Sequence, residues 1–138
     1  MKQFAHKERA ENRILGLVPT MGALHEGHIS LIKRARTECS SVVASIFVNP
    51  TQFSPSEDFA KYPRNLQGDT AKLEAAGIDA LFLPDGKDIY PPNYSTYVTV
   101  ARLSECLEGR LRLGHCRGGR TEGLQLCQSV EPHFPYFG

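Results

Sequence analysis

The sequence predicts an α/β fold, a doubly wound parallel sheet with helices on both faces. Three observations predict it. Short, nearly continuous apolar runs of strand length alternate with segments of helical periodicity, the connections are short, and proline, glycine or asparagine marks most boundaries. Strands buried on both faces read as unbroken apolar runs, and parallel neighbours need right-handed crossovers.

The first 13 residues, "MKQFAHKERAENR", are polar throughout and are expected to precede a single domain spanning residues 14–138. They lack the apolar core of a signal peptide, so a cytoplasmic location is expected. "ILGLV", Ile14 to Val18, reads as the first strand, stopped by Pro19. Ile29, Leu31, Ile32 and Ala35 then recur at helical spacing while Lys33, Arg34, Arg36 and Glu38 fall mostly elsewhere, giving a helix from about Gly27 to Glu38. "SVVASIFV", Ser41 to Val48, is the second strand, stopped by Asn49 and Pro50. Asn65 can cap a helix carrying Leu66, Leu73 and Ala76, ended by Gly77, and "IDALFLP" supplies a third strand. The Pro-rich stretch from Leu83 to Thr96 reads as a loop before an edge strand, "YVTVA", and past Arg110 the periodicity fades.

Composition excludes several classes. A chain of 138 residues with 41% hydrophobic and 22% charged residues can bury a core, and a net charge of +1 marks no nucleic-acid partner. No apolar run approaches the roughly 20 residues of a membrane span. The four cysteines, Cys39, Cys106, Cys116 and Cys127, form no Cys-x-x-Cys pair and read as reduced, structural thiols.

Ligands of such sheets sit beyond the carboxyl ends of the strands. Here those ends are "PTMGALHEGH" and "NPTQF", so the first loop and Gln52 should face one crevice. His25 and His28 fall at a helix start, where free N–H groups and the positive end of the macrodipole favour phosphate. A zinc-protease helix needs its histidines four apart, which "HEGHISL" does not offer. The plain alternative is that the histidines only cap the helix. Gln52 suits a carboxylate or hydroxyl ligand but as a lone loop glutamine would more often be solvated, and Asp69 near a helix start is stabilised by the dipole without any ligand. "EGRLRLGHCRGGR", with Arg112 and His115, is consistent with an anion-facing loop, or simply with a flexible one; without interleaved aromatics it is a poor nucleic-acid platform.

At "VPTMGALHEGHISL", "SIFVNPTQF", "EDFAKYPRN" and "LEAAGIDALFLP" the chain resembles the pantothenate synthetase (pantoate–β-alanine ligase) family. The first motif is that family's form of the His-x-Gly-His signature of Rossmann-like nucleotidyltransferases. The resemblance implies a cytoplasmic, dimeric enzyme using ATP and Mg²⁺ to join pantoate and β-alanine through a pantoyl adenylate, with AMP and pyrophosphate released. It implies an ATP site at Pro19, Thr20, Met21, Gly22, Ala23, Leu24, His25, Glu26, Gly27 and His28, with Gly138. His28 and His25 would be catalytic, Gln52, Asn49 and Met21 would contact pantoate or β-alanine, and Asp69 would hold the metal.

The family's apolar helix is replaced by "GRTEGLQLCQSVEPHF", so the chain is expected to diverge from about Gly118, with the helix's apolar stripe lost. The family's later lysine motif and C-terminal lid domain are not among these residues, so little turnover is expected from them alone. The alternative reading is a non-catalytic nucleotide-binding or interaction module that keeps the fold.

Overall fold

A computed structural model describes residues 1–53, 59–99 and 115–138. The elements are α1 (Lys2–Ala10), β1 (Leu15–Thr20), α2 (Glu26–Glu38), β2 (Ser41–Ile46), 3₁₀ turns at Pro50–Gln52 and Phe59–Lys61, α3 (Leu66–Ala75), β3 (Ala80–Phe82), α4 (Gly86–Ile89), α5 (His115–Val130) and β4 (Phe134–Pro135). The strands form one all-parallel sheet in the order β3-β2-β1-β4. The doubly wound α/β expectation holds.

Alternation along the two central strands divides the core. Leu15, Leu17 and Val43 turn to one face, where they meet Ala5 of α1, Ile89 of α4, and Leu126 and Val130 of α5. Val18, Val42 and Ala44 turn to the other and meet Ile32 and Ala35 of α2 and Leu73 of α3. Both faces are covered, which is why β1 and β2 read as unbroken apolar runs.

Several boundaries differ from expectation. Pro19 does not stop β1, which runs on to Thr20. The Leu15 and Leu17 carbonyls accept from His133 and Tyr136 N–H at 2.8 Å each, whereas the Thr20 carbonyl accepts from Phe47 N–H at 2.9 Å on the β2 side. Alternate residues of a strand face the same neighbour, so Pro19 points toward the β4 side. There β4 pairs only with Gly16 and Leu17, and no donor is missed. The second strand ends at Ile46, two residues short of Val48. Tyr97–Thr99 carry no strand, and the rest of the expected "YVTVA" edge lies outside the described residues.

The polar N-terminal segment is a helix. Ala5 and Glu8, three apart on α1, are buried, and Glu8 accepts a hydrogen bond from the Ser41 hydroxyl and pairs with Arg13 at 3.4 Å. In the α5 region the apolar stripe is shortened rather than lost, since Leu126 and Val130 are fully buried. Cys39 and Cys127 are free thiols among the described residues, as expected. No helix among those residues is long and apolar enough to cross a membrane.

Candidate active site

The loop after β1 is fixed before any ligand arrives. Gly22 takes φ +81°, and Ala23 follows at φ +52°, a left-handed conformation that costs an L-residue about 1 kcal/mol. Asp69 offsets that cost. Its Oδ2 accepts from Ala23 N–H and its Oδ1 from Leu24 N–H, both at 2.9 Å, and its side chain is buried against the loop. Thr20 Oγ1 accepts from Gly22 N–H at 3.2 Å while donating to the Ser45 carbonyl at 2.8 Å. Lys72 Nζ adds a bond to the Leu24 carbonyl at 2.7 Å. The loop is clamped from β2 and α3 together.

The two histidines then start α2 by capping each other's backbone. His25 is the N-cap, and its Nδ1 accepts from Gly27 N–H at 3.1 Å; His28 Nδ1 reaches back to accept from His25 N–H at 3.3 Å. The rings lie 4.1 Å apart. A Cβ on Gly27 would fall 2.8 Å from His25 Cε1, so the intervening glycine makes room for the capping ring. The spacing thus has a local reason. It also has a chemical consequence, because a neutral ring that accepts at Nδ1 carries its proton on Nε2. Burial, helped by His25 and opposed by Asp69, holds the His28 pKa below its ordinary value, which keeps that ring neutral at pH 7. Each histidine therefore presents an Nε2–H donor beside the N-terminus of α2.

His28 opens onto a cavity of about 290 Å³. Pro19, Thr20, Met21 and Gln52 line its strand side; Gly119, Glu122, Gly123 and Leu126 of α5, with Phe137 and Gly138, line the other. The α5 wall docks through glycine. A Cβ at Gly118 would fall 2.6 Å from Thr51 Oγ1 and 2.7 Å from its carbonyl oxygen, so only glycine permits this approach. Asn49 Nδ2 donates to the Gly118 carbonyl at 3.2 Å, and Gln52 Nε2 donates to Glu122 Oε2 at 2.7 Å. Glu122 is 5% exposed. Its burial pushes its pKa up to about 7, against the opposing hydrogen bonds of Asn49 and Gln52.

The expected site residues divide among three hollows. Pro19, Thr20, Met21, His28, Gln52 and Gly138 meet at the cavity. His25, Leu24 and Glu26 line a neighbouring hollow with Lys33 and Lys72, and Gly22 and Asp69 line a third, which Met21 also borders. Asn49 is fully buried behind the cavity, where its Oδ1 accepts from Thr51 N–H at 3.1 Å and from Tyr90 OH at 3.1 Å. Arg112 lies outside the described residues, and His115 enters only as the first residue of α5. Glu122 was missed. Its signal was present, since positions 122, 126 and 130 repeat every four residues and share one helix face with two buried aliphatics.

Among the described residues the donor set makes no all-protein cage for Mg²⁺. Both Asp69 oxygens are engaged by loop N–H groups, and among the described residues no three His, Cys, Asp or Glu side chains gather where they could hold a metal ion.

Comparison with known proteins places the chain. The family model described as Pantoate-beta-alanine ligase matches residues 1–138. Pantothenate synthetase of Thermotoga petrophila is 50% identical over 138 residues, all of this chain and 49% of that protein. Its counterpart in Acidobacterium capsulatum is 55% identical over 126 residues, 91% of this chain and 42% of that one. Among solved structures, pantothenate synthetase of Thermus thermophilus superposes with a TM-score of 0.88 at 45% identity, covering 97% of this chain and 50% of that one. A Francisella tularensis pantoate–β-alanine ligase complexed with β,γ ATP and β-alanine superposes with a TM-score of 0.87 at 43% identity, covering 97% and 52%. The chain spans about half the length of the curated relatives it matches. Relatives that are named enzymes of one kind do not favour a non-catalytic module. Matched over its whole length, the chain belongs to the pantoate–β-alanine ligase family.

Proposed function

We propose that these residues form the nucleotide-binding half of an ATP-dependent enzyme that condenses pantoate with β-alanine. The observation that carries this reading is the meeting of a neutral His28, at the N-terminus of α2, with Gln52 across one cavity. In the reaction, a pantoate carboxylate oxygen attacks the α-phosphorus of ATP and the bond to pyrophosphate breaks. The amine of β-alanine then attacks the acyl carbon of the pantoyl adenylate, AMP leaves, and the amine loses a proton.

Each group has a task in that sequence. The Nε2–H of His28 donates to phosphate oxygens and, with the positive end of the α2 macrodipole, stabilises charge as the α-phosphorus becomes five-coordinate. His25 holds His28 in place and lends a second donor at the outer edge of the cradle. Gln52 and Met21 orient the acid, and Asn49 fixes the turn that carries Gln52. Asp69 positions the loop through Ala23 and Leu24. Mg²⁺, which the family resemblance implies, belongs in this reading with the triphosphate rather than with Asp69. The same resemblance implies a cytoplasmic homodimer acting on small molecules, without nucleic-acid or membrane partners.

Binding is the direct readout, because these residues match half of each relative and are expected to turn over little by themselves. His28→Gln keeps a side chain able to reach back to the N-cap N–H but removes the imidazole donor. Calorimetry should show ATP binding to the wild-type chain weakened about tenfold or more in this variant, the scale of one charge-assisted hydrogen bond. Equal binding by the two proteins would remove His28 from the nucleotide site.

A further inference from the structure

We propose that Glu122 controls whether the cavity accepts an acid: as a carboxylic acid it shares its proton with the carboxylate of a bound hydroxy acid, and as a carboxylate it expels that ligand. The inference rests on the reading of Gln52 as the acid-binding residue. Gln52 Nε2 is 2.7 Å from Glu122 Oε2, and both side chains line the cavity with His28. An acid brought to the Gln52 amide therefore arrives beside Glu122. Two carboxylates sharing one site do not both stay ionised.

Among the described residues, no cation of the packed elements is set against Glu122. β1 and the Pro50–Gln52 turn contain no ionisable side chain. Glu8 of α1 is engaged with Ser41 and Arg13, and among the described residues the titratable groups that face Glu122 are His28 of α2 and Tyr90 at the end of α4. On α5 itself Arg120 lines a different hollow, against Leu124, Cys127 and Phe137. Amides, from Asn49 and Gln52, bond to the Glu122 carboxyl. With its pKa raised by burial to about 7, Glu122 changes charge in the neutral range while an ordinary substrate carboxylate stays ionised. Binding of the acid should then take up a proton. No covalent step is involved, and the proton comes from solvent.

The test is calorimetry of pantoate binding to the purified chain, saturated with an ATP analogue bridged by methylene between the α and β phosphorus atoms. Titrations at pH 6 and pH 8, in buffers of different ionisation enthalpy, count protons. Nearly one proton should be taken up per acid at pH 8 and little at pH 6, with about tenfold weaker binding at pH 8. Glu122→Gln should bind with no proton uptake and no pH dependence. The neutral amide of pantoate should bind wild type without proton uptake, a control that serves even if the variant folds poorly. Pantoate binding that ignores pH, or no pantoate binding across the range while the analogue binds, overturns the role of Glu122. Failure to bind the analogue overturns the functional reading itself.

Discussion

The helix start that carries His28 is capped by hydrogen bonds between residues two and three positions apart, whereas the facing wall of the cavity rests on bonds between residues 69 and 70 positions apart. The first is a helix start whose chemistry can be seen in a dozen consecutive letters. The second is a helix whose fit depends on a distant turn, Asn49 to Gln52, and on glycines that let backbone meet backbone. One motif can therefore announce a phosphate cradle while the partners of the facing wall stay hidden in the sequence.

Substitutions at one glycine on each wall sharpen the contrast. Gly118→Ala should have the larger effect. Its Cβ would meet backbone atoms of Thr51, which have no rotamer to escape into, so α5 must shift and the cavity open. A loss of about 3 kcal/mol in chemical denaturation is expected, in the upper range for overpacking. A change near zero would show that α5 is not docked through this contact. Gly27→Ala should do less, because the Cβ meets the His25 ring, which can swing away. About 1 kcal/mol is expected, the worth of a helix cap, together with weaker ATP binding. A larger loss there than at Gly118 would reverse the comparison.

The same contrast explains what the sequence disclosed. Strands β1 and β2 are legible because burial on both faces leaves runs such as "SVVASI" with no alternation. Helix α3 is legible through Asn65, whose Oδ1 does accept from Gly68 N–H at 3.0 Å, and through Gly77 at φ +83°. The end of β1 was not, because Pro19 is tolerated only where β4 has already stopped, a fact of tertiary pairing. Helix α1 was hidden for a similar reason. Its buried face includes Glu8, which reads as solvated until Ser41 and Arg13 are brought to it. Asp69 lies where a carboxylate suits a helix dipole, yet its bonds run to Ala23 and Leu24, more than 40 positions earlier. Glu122 combined both difficulties, a polar residue on a buried face with partners from a remote turn.

Nitrogen-detected NMR of ¹⁵N-histidine-labelled chain reads whether the capping bonds of the two histidines leave Nε2–H donors for phosphate. At pH 7 His28 should be neutral, with its proton on Nε2 and an unprotonated Nδ1, and the Nε2 resonance should move when ATP is added. A proton on Nδ1, or an Nε2 resonance that ATP leaves in place, would contradict that donor role.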